Sequence, residues 1–256
     1  MRRTIDARLG LTREGTPGTS DWVIRMPGVV GTLLGITWAV FLIGVVMSAQ
    51  ARFRFEYPLS FVPGRLGAAL AGRPGVTLWE GAGPLVTHLF VHANLAHVAL
   101  NSVGLLIFGT AVARRLRVEA RGGSGAWNTV VFLAFFAASG IAGALLYAAF
   151  NAGSATPMVG ASGAISGLMA GAMRFALRAF VPYGPSQGAL APPGAPPVLV
   201  TTIAYVGLNL LTPLGLGALT GSGGLSIAWE SHIGGYLFGL YAFGAFDRAA
   251  RREGLG

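Results

Sequence analysis

Six apolar segments, each close to the length that crosses a bilayer, dominate this sequence of 256 residues. They lie at about 28–48, 94–112, 128–149, 162–180, 198–219 and 232–246. A helix of about 20 apolar residues crosses a hydrocarbon core of ~30 Å. Only 11% of the residues are charged, whereas a soluble domain carries about 25%. The sequence therefore predicts an all-α polytopic membrane protein whose six transmembrane helices form one bundle.

The distribution of arginine predicts how the chain is oriented, because basic residues concentrate in cytoplasmic connections. All 18 basic residues are arginines, and 14 of them lie in the amino-terminal tail, after the second segment, at the end of the fourth and after the sixth. The other four, Arg52, Arg54, Arg65 and Arg73, lie in the connection after the first segment. Both termini are therefore predicted to be cytoplasmic. The net charge of +9 follows from this topology, so no nucleic-acid partner is inferred.

The chain is expected to form a single membrane domain. Residues 28–246 would make up this domain, between cytoplasmic tails at 1–27 and 247–256. The first apolar run exceeds the 7–15 residues usual in a signal peptide, so we expect it to be retained as a membrane anchor. The abundance of Ala, Gly, Pro and Arg favours a GC-rich bacterial genome, and hence the bacterial inner membrane as the location.

Two connections stand out by composition. The first, at about 49–87, contains enough apolar residues to lie in the outer membrane interface, with Trp79 at the level of the lipid headgroups. The other, at 182–197, is rich in proline and small residues, which is typical of a linker.

A serine and a histidine begin two of the shorter apolar segments. Ser162 stands in Gly160-Ala161-Ser162-Gly163, and His232 stands in Ser231-His232-Ile233-Gly234-Gly235. Both segments fall short of a full crossing, so both residues are expected below the outer membrane surface. Irregular backbone at that depth requires a water-filled cavity or burial in protein. A submerged cavity that holds water is what hydrolysis inside a membrane needs.

Glycines at a spacing of four residues follow both the serine and the histidine. Gly163, Gly167 and Gly171 form one stripe, and Gly235 and Gly239 form the other. Such stripes let membrane helices pack with their backbones close together. Pairing the two stripes would bring the imidazole within hydrogen-bond reach of the serine hydroxyl, as nucleophilic catalysis by serine needs. The same spacing is also typical of ordinary helix packing.

The other three histidines precede or enter the second segment, at His88, His92 and His97. His97 and Asn101 are four residues apart and share a helix face, so both would face one cavity and donate to an oxyanion. His88 and His92 have the alternative of shaping the first connection through structural hydrogen bonds. Their spacing also fits metal ligands, but no carboxylate or cysteine accompanies them, so no metal is predicted. Glu230 is too close to His232 in sequence to complete a triad, and a Ser-His dyad is expected.

These motifs together resemble the rhomboid family of intramembrane serine proteases over residues 28–246. The resemblance implies a six-helix rhomboid fold in which Ser162 is the nucleophile and His232 the general base. It also implies an oxyanion hole formed by the His97 and Asn101 side chains with the Ser162 N–H, and a supporting role for His92. The supporting glycines that carry the resemblance are Gly160, Gly163, Gly235 and Gly239.

The chain departs from the family pattern at three places. Ser166 stands where many rhomboids carry an aromatic residue that packs against the histidine. Gly83-Pro84 stands where a Trp-Arg pair is common in the first connection. A glutamate common after the second segment is missing from the stretch 112–115, although Arg115 matches a family arginine. None of these departures removes a group that the resemblance implies to be catalytic.

The sequence supports an intramembrane serine endopeptidase that uses no cofactor and whose partners are transmembrane protein substrates and the lipid bilayer. The competing hypothesis is a catalytically silent rhomboid-like protein that binds membrane clients. A small transporter or channel would have ionisable residues along a pathway, whereas the polar groups here converge on one outer pocket.

Overall fold

The computed structural model describes residues 26–119, 124–181, 189–212 and 228–252. Within these ranges the regular structure is helical, apart from one antiparallel bridge between Phe61 and Met158. The tail at 1–25, residues 182–188 of the predicted linker and residues 213–219 at the end of the fifth apolar segment lie outside the described residues. The predictions made for those stretches stay predictions.

Ten helices occur in the described ranges, and short 3₁₀ turns extend some of them. They are α1 (Gly28–Val45), α2 (Ala49–Glu56), α3 (Pro63–Leu70), α4 (Leu78–Ala82), α5 (Pro84–Thr87), α6 (Leu95–Arg115), α7 (Ser124–Phe150), α8 (Ser162–Ala176), α9 (Pro196–Leu211) and α10 (Trp229–Arg252). A π-helical turn at Leu105–Gly109 lies within α6.

Three helices, α1, α6 and α7, are long and apolar enough to cross a membrane. Large apolar side chains on the bundle surface face outward, as they would toward lipid; Leu42, Leu100, Val103, Val130 and Ile203 are among them. The prediction of an all-α membrane protein is therefore confirmed. The helices α8 and α9 are shorter, at 15 and 16 residues, so the number of six spans stays a prediction.

Helices α7, α8 and α10 pack against one another at the centre of the bundle. A Cβ atom added at Gly235 would overlap the carbonyl oxygen of Gly163, and one at Gly239 would overlap the main chain of Gly167. Ser139 of α7 also packs against Gly167. The small residues thus allow backbone contact between helices, where lipid supplies no hydrophobic driving force and van der Waals packing must hold the bundle together. This is the contact that the glycine spacing predicts.

The connection between α1 and α6 contains four short helices that were not predicted from the sequence. Thr77 and Glu80 form a capping box at the start of α4, in which each side chain accepts a hydrogen bond from the other's backbone N–H. Trp79 is 76% exposed, which fits a side chain at the membrane interface. The connection is tied to the segment that precedes Ser162, because Phe61 and Met158 exchange backbone hydrogen bonds of 3.0 and 2.8 Å.

The position of His232 in its helix differs from the prediction. Helix α10 begins at Trp229, three residues before the predicted start, so the histidine lies near the end of the first turn. Glu230 lies in this first turn, where a negative charge interacts favourably with the helix dipole. The apolar pattern alone missed this start because the polar residues Glu230 and Ser231 interrupt the apolar run before His232.

Candidate active site

Ser162 is the first residue of α8 and follows a loop that only glycine can form. Gly160 has a φ of +111°, in the left-handed region. A Cβ atom at this position would also lie 2.5 Å from His97 Nε2. The backbone N–H of Gly160 donates to the carbonyl of His88 at 2.9 Å. The serine is therefore presented by a loop that two histidine-bearing segments hold in place.

The side chains of Ser162 and His232 are hydrogen-bonded. Ser162 Oγ lies 2.8 Å from His232 Nε2, and both residues are half-buried. The distance follows from the packing of the two helices, since Ser231 contacts Gly163 with its hydroxyl and its carbonyl oxygen. A hydroxyl in contact with a neutral imidazole has the geometry of a nucleophile and its base.

A third residue, which was not predicted from the sequence, contacts the other ring nitrogen of the histidine. Asn209 of α9 places Oδ1 2.8 Å from His232 Nδ1, and it is only 7% exposed. One signal was available, since a polar amide within an apolar segment is costly and marks a functional candidate. Spacing gave no further indication, because Asn209 and His232 belong to different helices.

Ser166 also connects α8 to α9. Its hydroxyl lies 2.6 Å from the Tyr205 hydroxyl and 2.6 Å from the carbonyl oxygen of Ser162. The Tyr205 ring stacks on Tyr236 of α10 with ring centroids 4.6 Å apart. An aromatic ring from α9 thus reaches the region below the serine, where many rhomboids carry an aromatic residue on the helix of the serine itself.

His97 and Asn101 lie on α6 at the edge of the same site. The His97 imidazole packs against the Gly160 loop. Asn101 is buried, and its Nδ2 donates to the carbonyl of His97 at 2.9 Å. An amide nitrogen carries two N–H groups, so one of them remains for another acceptor. Asn94 caps this helix, because its Oδ1 accepts a hydrogen bond of 2.8 Å from the backbone N–H of His97. This contact fixes where the helix begins.

The contacts of the His92 and His88 side chains are with His97 and with the connection between α1 and α6. The His92 ring packs edge-on against the His97 ring, with centroids 4.9 Å apart. His88 is fully buried, and its Nδ1 lies 2.7 Å from the carbonyl oxygen of Pro84. Burial lowers the pKa of His88 to about 4. No group of three or more potential metal ligands among His, Cys, Asp and Glu occurs in the described part of the chain.

Glu230 is hydrogen-bonded to the residue that follows α7, although it stands only two residues before His232. Its Oε1 accepts a hydrogen bond from Asn151 Nδ2 at 3.0 Å. This contact joins the end of α7 to the start of α10 and accounts for a buried carboxylate near the site. The neighbour of His232 Nδ1 is the neutral amide of Asn209.

The fold and the site define an all-α membrane protein in which a serine and a histidine from two closely packed helices share a hydrogen bond. The family model of the Rhomboid domain matches residues 77–248, a range that includes the serine, the histidine and the polar residues around them. The chain belongs to the rhomboid family. A comparison with curated proteins found no match.

Proposed function

We propose that this protein is an intramembrane serine endopeptidase that hydrolyses peptide bonds in or near transmembrane segments of other membrane proteins. The observation that carries the proposal is the 2.8 Å hydrogen bond between Ser162 Oγ and His232 Nε2. Membership in the rhomboid family supports the same reaction class. The reaction that we propose uses neither a metal nor a cofactor.

In the first step, Ser162 Oγ attacks the carbonyl carbon of the scissile peptide bond while His232 Nε2 takes the hydroxyl proton. The tetrahedral intermediate then collapses, and the imidazolium gives this proton to the leaving amine. In the second step, a water molecule attacks the resulting acyl-enzyme. His232 accepts one proton from that water and returns it to Ser162 Oγ, which releases the carboxylic acid product.

The oxyanion of each tetrahedral intermediate needs hydrogen-bond donors that are already in place. The Ser162 N–H lies in the first turn of α8, where backbone N–H groups have no partner within the helix. The His97 imidazole beside Gly160 and the second N–H of Asn101 Nδ2 are the side-chain donors in our proposal. Donors of this kind act mainly on the transition state, because the negative charge exists only there.

The proposed topology has six spans within residues 28–246 and cytoplasmic tails at 1–27 and 247–256. It places the serine and histidine on the outer side of a bacterial inner membrane. The arginine distribution supports this orientation. Because lipid surrounds the bundle, a transmembrane substrate would approach by diffusion in the plane of the bilayer.

The test is cleavage of a panel of single-span substrates by the purified protein in liposomes, compared with Ser162→Ala. We expect the wild type to cut at least one substrate and the variant to cut none. A fluorophosphonate should label the wild type, and peptide mapping should locate the label at Ser162. A rhomboid-like protein that only binds clients would retain substrates without cutting them and would not react with the reagent.

A further inference from the structure

We propose that Asn209 is a positioning residue that holds His232 in the tautomer with hydrogen on Nδ1, so that the site works as a Ser-His-Asn chain. The inference rests on the proposed proteolytic function. Both nitrogens of the imidazole are engaged: Nε2 lies 2.8 Å from Ser162 Oγ, and Nδ1 lies 2.8 Å from Asn209 Oδ1. Burial of Asn209 makes a loss of its partners costly.

The main-chain carbonyl of Tyr205 fixes the direction of every bond in this chain. Asn209 Nδ2 donates to that carbonyl at 2.9 Å. A carbonyl only accepts hydrogen bonds, so a flipped amide would place two acceptor oxygens against each other. The amide oxygen must therefore face the imidazole. Because this oxygen also only accepts, Nδ1 of His232 must carry the hydrogen.

The consequence for the serine follows from the same reasoning. A neutral imidazole carries one hydrogen, so Nε2 has a free lone pair when Nδ1 is protonated. That lone pair points at Ser162 Oγ and can accept its proton. In the opposite tautomer, Nε2 would donate to the serine and no longer act as a base. A histidine in the wrong tautomer lowers kcat by about 10⁴ in serine proteases with an aspartate in the third position.

A second chain of hydrogen bonds links the same face of α9 to the serine. Ser166 Oγ donates to the carbonyl of Ser162, so the Tyr205 hydroxyl donates to Ser166 Oγ. Tyr205 and Asn209 are four residues apart and lie on one face of the helix. Asn209 contacts His232 directly, and Tyr205 is connected to Ser162 through Ser166. These contacts fix the position of α9 relative to α8 and α10.

This arrangement explains how the histidine is oriented in a chain that lacks the aromatic residue common in the family. Ser166 is smaller than the aromatic residue that many rhomboids carry at this position. Its hydroxyl is hydrogen-bonded to the Tyr205 hydroxyl of α9. The orientation of the imidazole then comes from a neutral amide on another helix. An amide suits a membrane site better than a carboxylate, because an uncompensated charge is costly to bury in a membrane protein.

The first experiment measures the tautomer directly. In protein labelled with ¹⁵N-histidine, the His232 signals are assigned by comparison with His232→Ala, and the nitrogen shifts identify the protonated nitrogen. We expect hydrogen on Nδ1 in wild type and in Ser162→Ala, and loss of this preference in Asn209→Leu. Hydrogen on Nε2 in the wild type would overturn the inference. The measurement needs no substrate, so it stands even if the protein has no protease activity.

The second experiment compares kinetics. Asn209→Leu keeps the size of the side chain but removes the hydrogen bond to the imidazole. It should lower kcat on the order of 10²-fold, because a catalytic group that is displaced by about 1 Å loses that much activity, and KM should change little. Asn209→Asp keeps an acceptor opposite Nδ1 and should recover part of the loss. The matched control is Thr202→Val, which removes a 2.9 Å hydrogen bond between α9 and Tyr236 without touching the imidazole. A folded Asn209→Leu with the kcat of the control would contradict the proposal.

Discussion

Gly235 of α10 lies directly against the carbonyl oxygen of Gly163 in α8, with no space for a side chain between the helices. Gly163 follows Ser162, and Gly235 lies three residues after His232, so this main-chain contact sets the separation of the two reactive groups. One turn further along, Gly239 meets the main chain of Gly167 in the same way. The geometry of the site is therefore a consequence of helix packing.

Replacing Gly235 or Gly239 by leucine should damage both activity and stability. The added side chain must push α10 away from α8, because its nearest neighbours are backbone atoms that cannot rotate aside. We expect a cost of at least about 1–3 kcal/mol from overpacking, and a longer distance between Ser162 and His232. Thermal unfolding and substrate cleavage are the two measurements. Gly35→Leu in α1 is the control, because a Cβ atom there has no neighbour within 4 Å.

Ser162→Ala and His232→Ala should each reduce cleavage by roughly 10³-fold or more and leave the protein folded and inserted. The double variant should be no worse than either single variant, because the two groups act as one unit. Initial rates on a single-span substrate, with circular dichroism as the control for folding, measure this. Substantial cleavage by Ser162→Ala would show that another residue is the nucleophile.

The parts of the site that come from local spacing were predictable, and the parts that come from helix orientation were not. Glycine stripes indicated which faces of α8 and α10 meet, because a four-residue spacing marks one helix face. Asn209 gave no such signal, since its contact with His232 depends on how α9 is rotated. The short helix α4 was readable in principle, because Thr77 and Glu80 have the spacing of a capping box. The bridge between Phe61 and Met158 joins residues far apart in sequence and had no local pattern.

Asn101→Ala should lower kcat by about 10²–10³ with a smaller effect on KM, because the lost donor would act on charge that develops only in the transition state. The variant also loses the 2.9 Å hydrogen bond to the His97 carbonyl, so its folding must be checked. Fluorophosphonate labelling of Ser162 and steady-state cleavage rates are the measurements. Ser102→Ala, which removes a neighbouring hydrogen bond to Trp38 at 3.0 Å, serves as the control. An unchanged kcat in folded Asn101→Ala would remove this residue from the oxyanion hole.

Low pH should destabilise the fold through His88, which lies in the connection between α1 and α6. Its folded-state pKa is lowered from 6.5 to about 4, and burial is the main cause. Below pH 6.5 the unfolded state therefore takes up a proton that the folded state takes up only near pH 4. The contribution of His88 to the free energy of unfolding is therefore at its full value above pH 6.5. Between pH 6.5 and about pH 4, it falls by about 1.4 kcal/mol for each pH unit by which the pH is lowered.

Replacing His88 by asparagine isolates this effect, because an amide keeps an N–H donor near the Pro84 carbonyl but does not titrate in this range. The free energy of unfolding of Ser162→Ala and of Ser162→Ala/His88→Asn is measured by denaturant titration between pH 7.5 and 5. We expect the double variant to be less stable at pH 7.5, because the imidazole that fits this site is lost. Below pH 6.5 its free energy of unfolding should depend less steeply on pH, by an amount that corresponds to the uptake of about one proton. Equal slopes in the two proteins would mean that His88 takes up its proton in the folded state as readily as in the unfolded state.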